Sequence, residues 1–171
     1  MTVSPLRLRP LRPDDEHEAR AAHDELEADH FSFLLGWQRG DDWDAYVSSL
    51  ARRRRGLDVP DGLVPASFLV ADVDGVLVGR VSIRHELNEH LANVGGHIGY
   101  GVRPMCRGRG YATEMLRQAL VIARAEGVGD VLVTCDEDNV ASRTVIERLG
   151  GEFEDLRPEE GEPVKRRYWI R

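Results

Sequence analysis

The sequence predicts an α+β domain built on a mixed β-sheet, on three observations. Two β-rich runs, residues 67–73 and 76–85, meet at Asp74-Gly75, a dipeptide that favours a tight hairpin, so part of the sheet is antiparallel. Residues 97–135 then read as strand, glycine-rich turn, helix and strand, and 131–135 is a continuous apolar run of the kind buried in parallel sheets. A further helix and two strands close the chain. At 171 residues and 42% hydrophobic content, the sequence is read as one domain over 1–171 with a core of ordinary size.

Element by element, Leu6, Leu8 and Leu11 alternate with Arg7, Arg9 and Arg12, which predicts a short half-buried strand closed by Pro10 and Pro13. Residues 14–30 favour a helix, with Asp14 as its N-cap and acidic residues in the first turn. An aromatic segment, 31–37, precedes a second helix over 42–55, whose Trp43, Tyr46, Val47 and Leu50 share a face. Residues 56–65 are loop. In 76–85, Leu77, Gly79, Val81 and Ile83 alternate with Val78, Arg80, Ser82 and Arg84, as a strand with one drier face requires. Residues 86–94 form a polar loop or short helical turn.

The strand 97–103 places Ile98, Tyr100 and Val102 on one face and His97, Gly99, Gly101 and Arg103 on the other. The glycines there imply close approach by another group. Pro104 ends the ladder. A helix over 112–126 carries Ala112, Met115, Leu116, Ala119, Leu120 and Ala123 as its buried stripe, and Gly127 and Gly129 stop it. Residues 140–149 form the last helix, closed by Gly150-Gly151, before strands over 152–156 and 164–170.

A net charge of −7 and a pI near 5.4 argue against general nucleic-acid binding and suit a cationic partner such as an amine. The basic run at Arg52, Arg53, Arg54 and Arg55 is read as a solvated helix end, where cations complement the dipole. Two cysteines, Cys106 and Cys135, make no disulfide framework, and no Cys/His spacing fits zinc, so no metal is expected. Without an apolar leader or a window of about 18 apolar residues, the expected location is cytoplasmic, with no membrane partner.

The segment from Arg107 to Ala112 is an anion site in outline. Its glycines let backbone N–H groups approach a phosphate, the helix N-terminus adds partial positive charge, and Arg107 and Arg109 add full ones. Thr113 stands where a dinucleotide fingerprint needs a third Gly or Ala, and no Gly-Lys-Ser/Thr closes a P-loop. The spacing Arg107-x-x-Gly110-x-Ala112 resembles the acetyl-CoA pyrophosphate loop of the GCN5-related N-acetyltransferases (GNAT). Downstream, Asn139-x-x-Ser142 followed by Glu147-x-Leu149-Gly150 resembles the family's last-helix motif, closest to its ribosomal-protein alanine N-acetyltransferase branch. The two motifs cover about 96–155. Residues 1–65 carry little of the likeness and form the variable part.

This resemblance implies a GNAT fold, a central mixed sheet of about seven strands flanked by helices, and transfer of an acetyl group from acetyl-CoA to a small-molecule or peptide amine in a ternary complex. It allows a homodimer. It implies that backbone groups of Val102 and Arg103 hold the pantetheine amides, that Arg107, Gly108, Arg109, Gly110, Tyr111 and Ala112 cradle the pyrophosphate, that Asn139 reaches the pantetheine and that Ser142 lies at the sulfur.

Deprotonating an amine of pKa ~10.4 at pH 7 costs about 4.6 kcal/mol, against about 2 kcal/mol for the proton balance of a thiol of pKa ~8.5, so a base or desolvation matters more than an acid. Asp136 and Glu86 lead the candidates for the base, ahead of Glu137, His85 and His97. Cys135 reads as a buried apolar thiol. Many family members carry a tyrosine acid where this chain has Ile146, which leaves Ser142 as the acid or thiol-orienting candidate. Ile146 also motivates the alternative of a catalytically weak CoA-binding regulatory or interaction domain.

Overall fold

The computed structural model describes residues 5–171. Its sheet contains β1 (Arg7–Pro10), β2 (Ala66–Val73), β3 (Val76–Arg84), β4 (Ile98–Val102), β5 (Val131–Asp136), β6 (Glu152–Glu159) and β7 (Glu162–Ile170), in the order β1-β2-β3-β4-β5-β7-β6. Only β4 and β5 run parallel; the other pairs are antiparallel. The expected mixed sheet is therefore present, with its parallel step at the centre.

Helices α1 (Glu16–Glu27) and α2 (Trp43–Arg54) cover one face, and α3 (Tyr111–Ala125) and α4 (Val140–Arg148) cover the other. The α3 stripe of Met115, Leu116, Ala119, Leu120 and Ala123 is buried with Val81, Ile83, Ile98 and Val133, because apolar residues three and four apart present one continuous strip to the sheet. On the opposite face Phe33, Leu34, Trp37, Trp43 and Tyr46 pack over Phe68, Val70 and Leu77. Asp42 caps α2 by accepting from the Ala45 N–H at 2.7 Å.

Two local expectations need correction. Asp14 does not cap α1; a short 3-10 turn, Pro13–Asp15, precedes the helix, and Asp15 instead binds Arg9 and the Arg12 N–H. In β3 both faces are covered, since helices flank the sheet on each side. The simple alternation also fails at its start: a bulge pairs Ala71 with Gly79 and Asp72 with Leu77, so Leu77 joins the α1–α2 core and Val78 the α3 core. The loop after β3 contains a π-helical turn, Leu91–Gly95.

The basic helix end is mostly engaged. Arg52 pairs with Asp58, Arg54 pairs with Glu126, and Arg53 Nε donates to Val64 O at 2.9 Å. Among the described residues, no helix is long and apolar enough to cross a membrane.

Candidate active site

β4 and β5 pair at Ile98 and Val133, where the His97 N–H also donates to Leu132 O at 2.7 Å, and then diverge. On its other edge β4 stays bound to β3. His97 O accepts from the Arg84 N–H at 2.7 Å, and the Arg103 N–H donates to Val78 O at 2.9 Å. Because backbone groups alternate direction along a strand, those of Tyr100 and Val102 face the opening. The gap forms a cleft of about 260 Å³ through the sheet, lined by Tyr100, Asn139 and Ser142 from the α3–α4 side and by Phe31, Arg80 and Arg84 from the α1–α2 side.

The anion loop sits just beyond β4. A 3-10 turn, Pro104–Cys106, leads to Gly108 and Gly110, whose φ values of +75° and +80° are open to glycine without the Cβ penalty. Gly110 is the N-cap of α3. The backbone N–H groups of residues 108–113 find no acceptor among the described residues; the first satisfied one is Glu114, bonded to Gly110 O at 3.2 Å. Converging N–H groups at a helix N-terminus form an anion nest.

The two arginines of the loop differ. Arg107 pairs with Asp29 at 2.6 Å and donates from Nε to Val102 O at 3.1 Å, which ties the loop to the strand end. Arg109 makes no ion pair among the described residues and is the open charge. Arg103 is corrected: its N–H bonds β3, its C=O accepts from the Cys106 N–H at 2.9 Å, and its side chain is held by Glu18 and Glu25. Its backbone is used within the fold, and Tyr100 takes its place beside Val102 at the opening.

Asn139 is the N-cap of α4, its Oδ1 accepting from the Ser142 N–H at 3.0 Å. Ser142 Oγ accepts from the Tyr100 hydroxyl at 3.3 Å. Burial pushes the Tyr100 phenol up to about 12, opposed by that hydrogen bond, so it is protonated at neutral pH. Tyr100 was not among the expected site residues, although strand alternation already set it on the face with Ile98, toward the last helix. Ile146 is wholly buried in the core shared with α3 and does not line the cleft.

The base candidates fare unevenly. Asp136 lines the cleft, but its carboxylate holds the Lys165 ammonium. Glu86 is corrected: it is exposed after β3 and does not line the cleft, because the chain turns away there into the bend before the π-helical turn. Glu137 is likewise exposed. His85 Nε2 lies 2.8 Å from Ser67 Oγ, and His97 Nδ1 accepts from the Leu132 N–H at 2.9 Å. Burial holds both imidazoles below their ordinary range, so they are neutral at pH 7, and neither lines the cleft. Burial pushes the Cys135 thiol up to about 11, which removes it as a nucleophile. Among the described residues no cluster of three or more His, Cys, Asp or Glu could hold a metal.

A family model described as an acetyltransferase (GNAT) domain matches residues 5–152, most of the chain. The chain belongs to the GNAT family. Solved structures agree in fold. Mycobacterium smegmatis RimJ in complex with CoA-disulfide is 22% identical with a TM-score of 0.65, covering 98% of this chain and 82% of its own. The Salmonella typhimurium yncA structure with its cofactor acetyl-CoA is 17% identical with a TM-score of 0.62, covering 96% and 92%. The microcin C7 self-immunity acetyltransferase MccE in complex with acetyl-CoA and AMP is 16% identical with a TM-score of 0.66, covering 96% and 91%. Within this GNAT fold, the nest at α3 falls on the Arg107-to-Ala112 segment read from the sequence as an anion site.

Proposed function

We propose that this GNAT chain is a single-domain N-acetyltransferase that moves the acetyl group of acetyl-CoA to a primary amine by direct transfer. The carrying observation is the row of unpaired N–H groups at 108–113, opening α3 beside the parted edge of β4. These groups and Arg109 fit a pyrophosphate. The backbone N–H and C=O of Tyr100 fit an extended chain with amides, which would lie in the gap as a further strand. Acetyl-CoA supplies the activated acyl group. In the reaction the acyl carbon passes from sulfur to nitrogen, sulfur takes up one proton, and the acceptor ammonium loses two, one of them to solvent.

The chain's own residues serve the steps as follows. The Val102 N–H, facing the gap, polarises the acyl carbonyl. Ser142 Oγ would stand at the thiol and hand it a proton relayed from the buried Tyr100 hydroxyl, which regains the second proton released by the acceptor amine, so β4 would provide what Ile146 on α4 does not. Asn139 holds α4 in register and leaves its amide Nδ2 free for the donor. The Asn139-x-x-Ser142 spacing likens the donor side of the site to the ribosomal-protein alanine N-acetyltransferase branch and leaves the acceptor open.

Titration calorimetry with acetyl-CoA tests the reading, and no binding at sub-millimolar concentration overturns it. Arg109→Glu should weaken acetyl-CoA binding by about tenfold or more, since it places a like charge beside the phosphates at a helix N-terminus; unchanged affinity would put the pyrophosphate elsewhere. The buried Ile146 favours a second reading, a CoA-binding domain with little turnover. Thiol release that depends on an added amine separates the two.

A further inference from the structure

Among the described residues, the buried arginines outside the cleft are paired with carboxylates: Arg9, 8% exposed, is held by Asp15 and Asp72, and Arg167, 7% exposed, by Glu154 and Asp155; the half-buried Arg103 is likewise held by Glu18 and Glu25, while the half-buried Arg53 donates to Val64 O. Arg80 and Arg84 lie four residues apart on the same face of β3, both lining the cleft, and neither makes an ion pair among the described residues. Arg80 is 4% exposed. It donates to Ser32 O at 2.7 Å and more weakly to Gly99 O at 3.5 Å, its guanidinium lies 4.2 Å over the Phe31 ring, and its buried Nε has no acceptor. Arg84 has one long bond, to Gly95 O at 3.4 Å, and lies against the bare surface of Gly99.

Two neighbouring guanidinium groups without a counter-ion are costly to bury and repel each other. Burial pushes Arg80 down to about 9, with Arg84 adding to it, and Arg84 down to about 10, yet both stay cationic at neutral pH. The cleft's one carboxylate, Asp136, is taken by Lys165. A chain of net charge −7 thus surrounds a cationic hole. These arginines stand on the α1–α2 face, opposite Ser142, across the opening in which the donor chain fits.

We propose that Arg80 and Arg84 bind an anionic group, a carboxylate or phosphorus oxyacid, carried by the acceptor amine, so that the acceptor is a small amino acid-like molecule. The inference rests on the acetyl-transfer reading and chooses its small-molecule side over a protein N-terminus. Planar guanidinium groups suit bidentate capture of such an oxyanion. Anchoring the acid on β3 orients the amine toward the gap. The same charges disfavour the acceptor's ammonium form, which reduces the need for the open carboxylate base that the cleft lacks.

The test compares L-alanine, L-glutamate, L-methionine and aminomethylphosphonate with L-alaninamide, n-propylamine and an amidated alanine tripeptide, reading acceptor-dependent thiol release. The acids should exceed the uncharged amines in kcat/KM by about tenfold or more, and the phosphonate against the amino acids tells which oxyanion is held. Arg84→Gln should raise KM for the preferred acid by a similar factor, with partial rescue by Arg84→Lys and unchanged acetyl-CoA affinity by calorimetry. Equal use of amides and acids, or an Arg84→Gln enzyme indifferent to the acid, overturns the proposal. Thermal stabilisation by the same acids, lost in Arg84→Gln, reads the anion site without the donor; its absence in the wild type together with silent turnover also overturns it. Failure of acetyl-CoA to bind, with that stabilisation intact, would fell only the transfer reading.

Discussion

Gly79 and Gly101 lie on neighbouring strands, and what occupies the space above each differs. A Cβ on Gly79 would run into the backbone oxygen of Gly101 and sit 3.0 Å from Met115 Cε; one on Gly101 would meet the end of the Phe31 ring. Backbone in a ladder cannot yield without breaking pairing, whereas a ring can swing. Gly101→Ala should therefore cost about 1–2 kcal/mol and Gly79→Ala about 3 kcal/mol or more, measured by urea unfolding, and the reverse order would mean that the β3–β4 register is wrong. The sequence foretold a close approach at the glycines of β4 but not by what, since Phe31 and Arg84 arrive from distant parts of the chain. The alternation in β3 was likewise legible only past the bulge at Val78, because a bulge is fixed by the partner strand.

At the scale of elements, what was legible was local. The hairpin at Asp74-Gly75, the α3 stripe and the glycine nest each depend on residues within a few positions, and all are present in the structure. Glu86 and Arg103 could not be placed, since their surroundings are set by strand order and by α1. Asn139 shows how one residue can hold two jobs at an element's end. Asn139→Ala removes the α4 cap and should cost about 1 kcal/mol, while Asn139→Asp keeps an accepting oxygen and suits the helix dipole but lacks Nδ2. If Nδ2 contacts the donor, Asn139→Asp should retain its melting temperature and bind acetyl-CoA several-fold more weakly by calorimetry. Unchanged binding would leave Asn139 a cap alone.

At the scale of the whole molecule, net charge does not describe the site. The value of −7 suited a cationic partner, yet an average over the surface says nothing about the cleft, where cations outnumber carboxylates. Ion pairs that bind layers together also set the response to acid. Arg103 holds the Glu25 carboxyl, and Arg167 the Asp155 carboxyl, below the ordinary range; at Asp15 burial acts the other way and is outweighed by Arg9. His85 and His97 are kept low by burial. For every one of these groups the folded value is depressed, so its stabilisation is complete above the unfolded value and is lost as pH falls. The histidines act first: below about pH 6.5 the unfolded chain takes up protons that the folded chain refuses. The carboxylates follow below about pH 4.5. Denaturant-unfolding free energy should be flat from pH 8 to 7, decline from about 6.5, and steepen again below about 4.5. Proton NMR of the imidazoles assigns the upper limb, which requires His85 and His97 to titrate below the unfolded chain. Stability that is unchanged between pH 7 and 5.5 would show that these imidazoles are not shielded, and that the β4–β5 junction bonded through His97 is open to water.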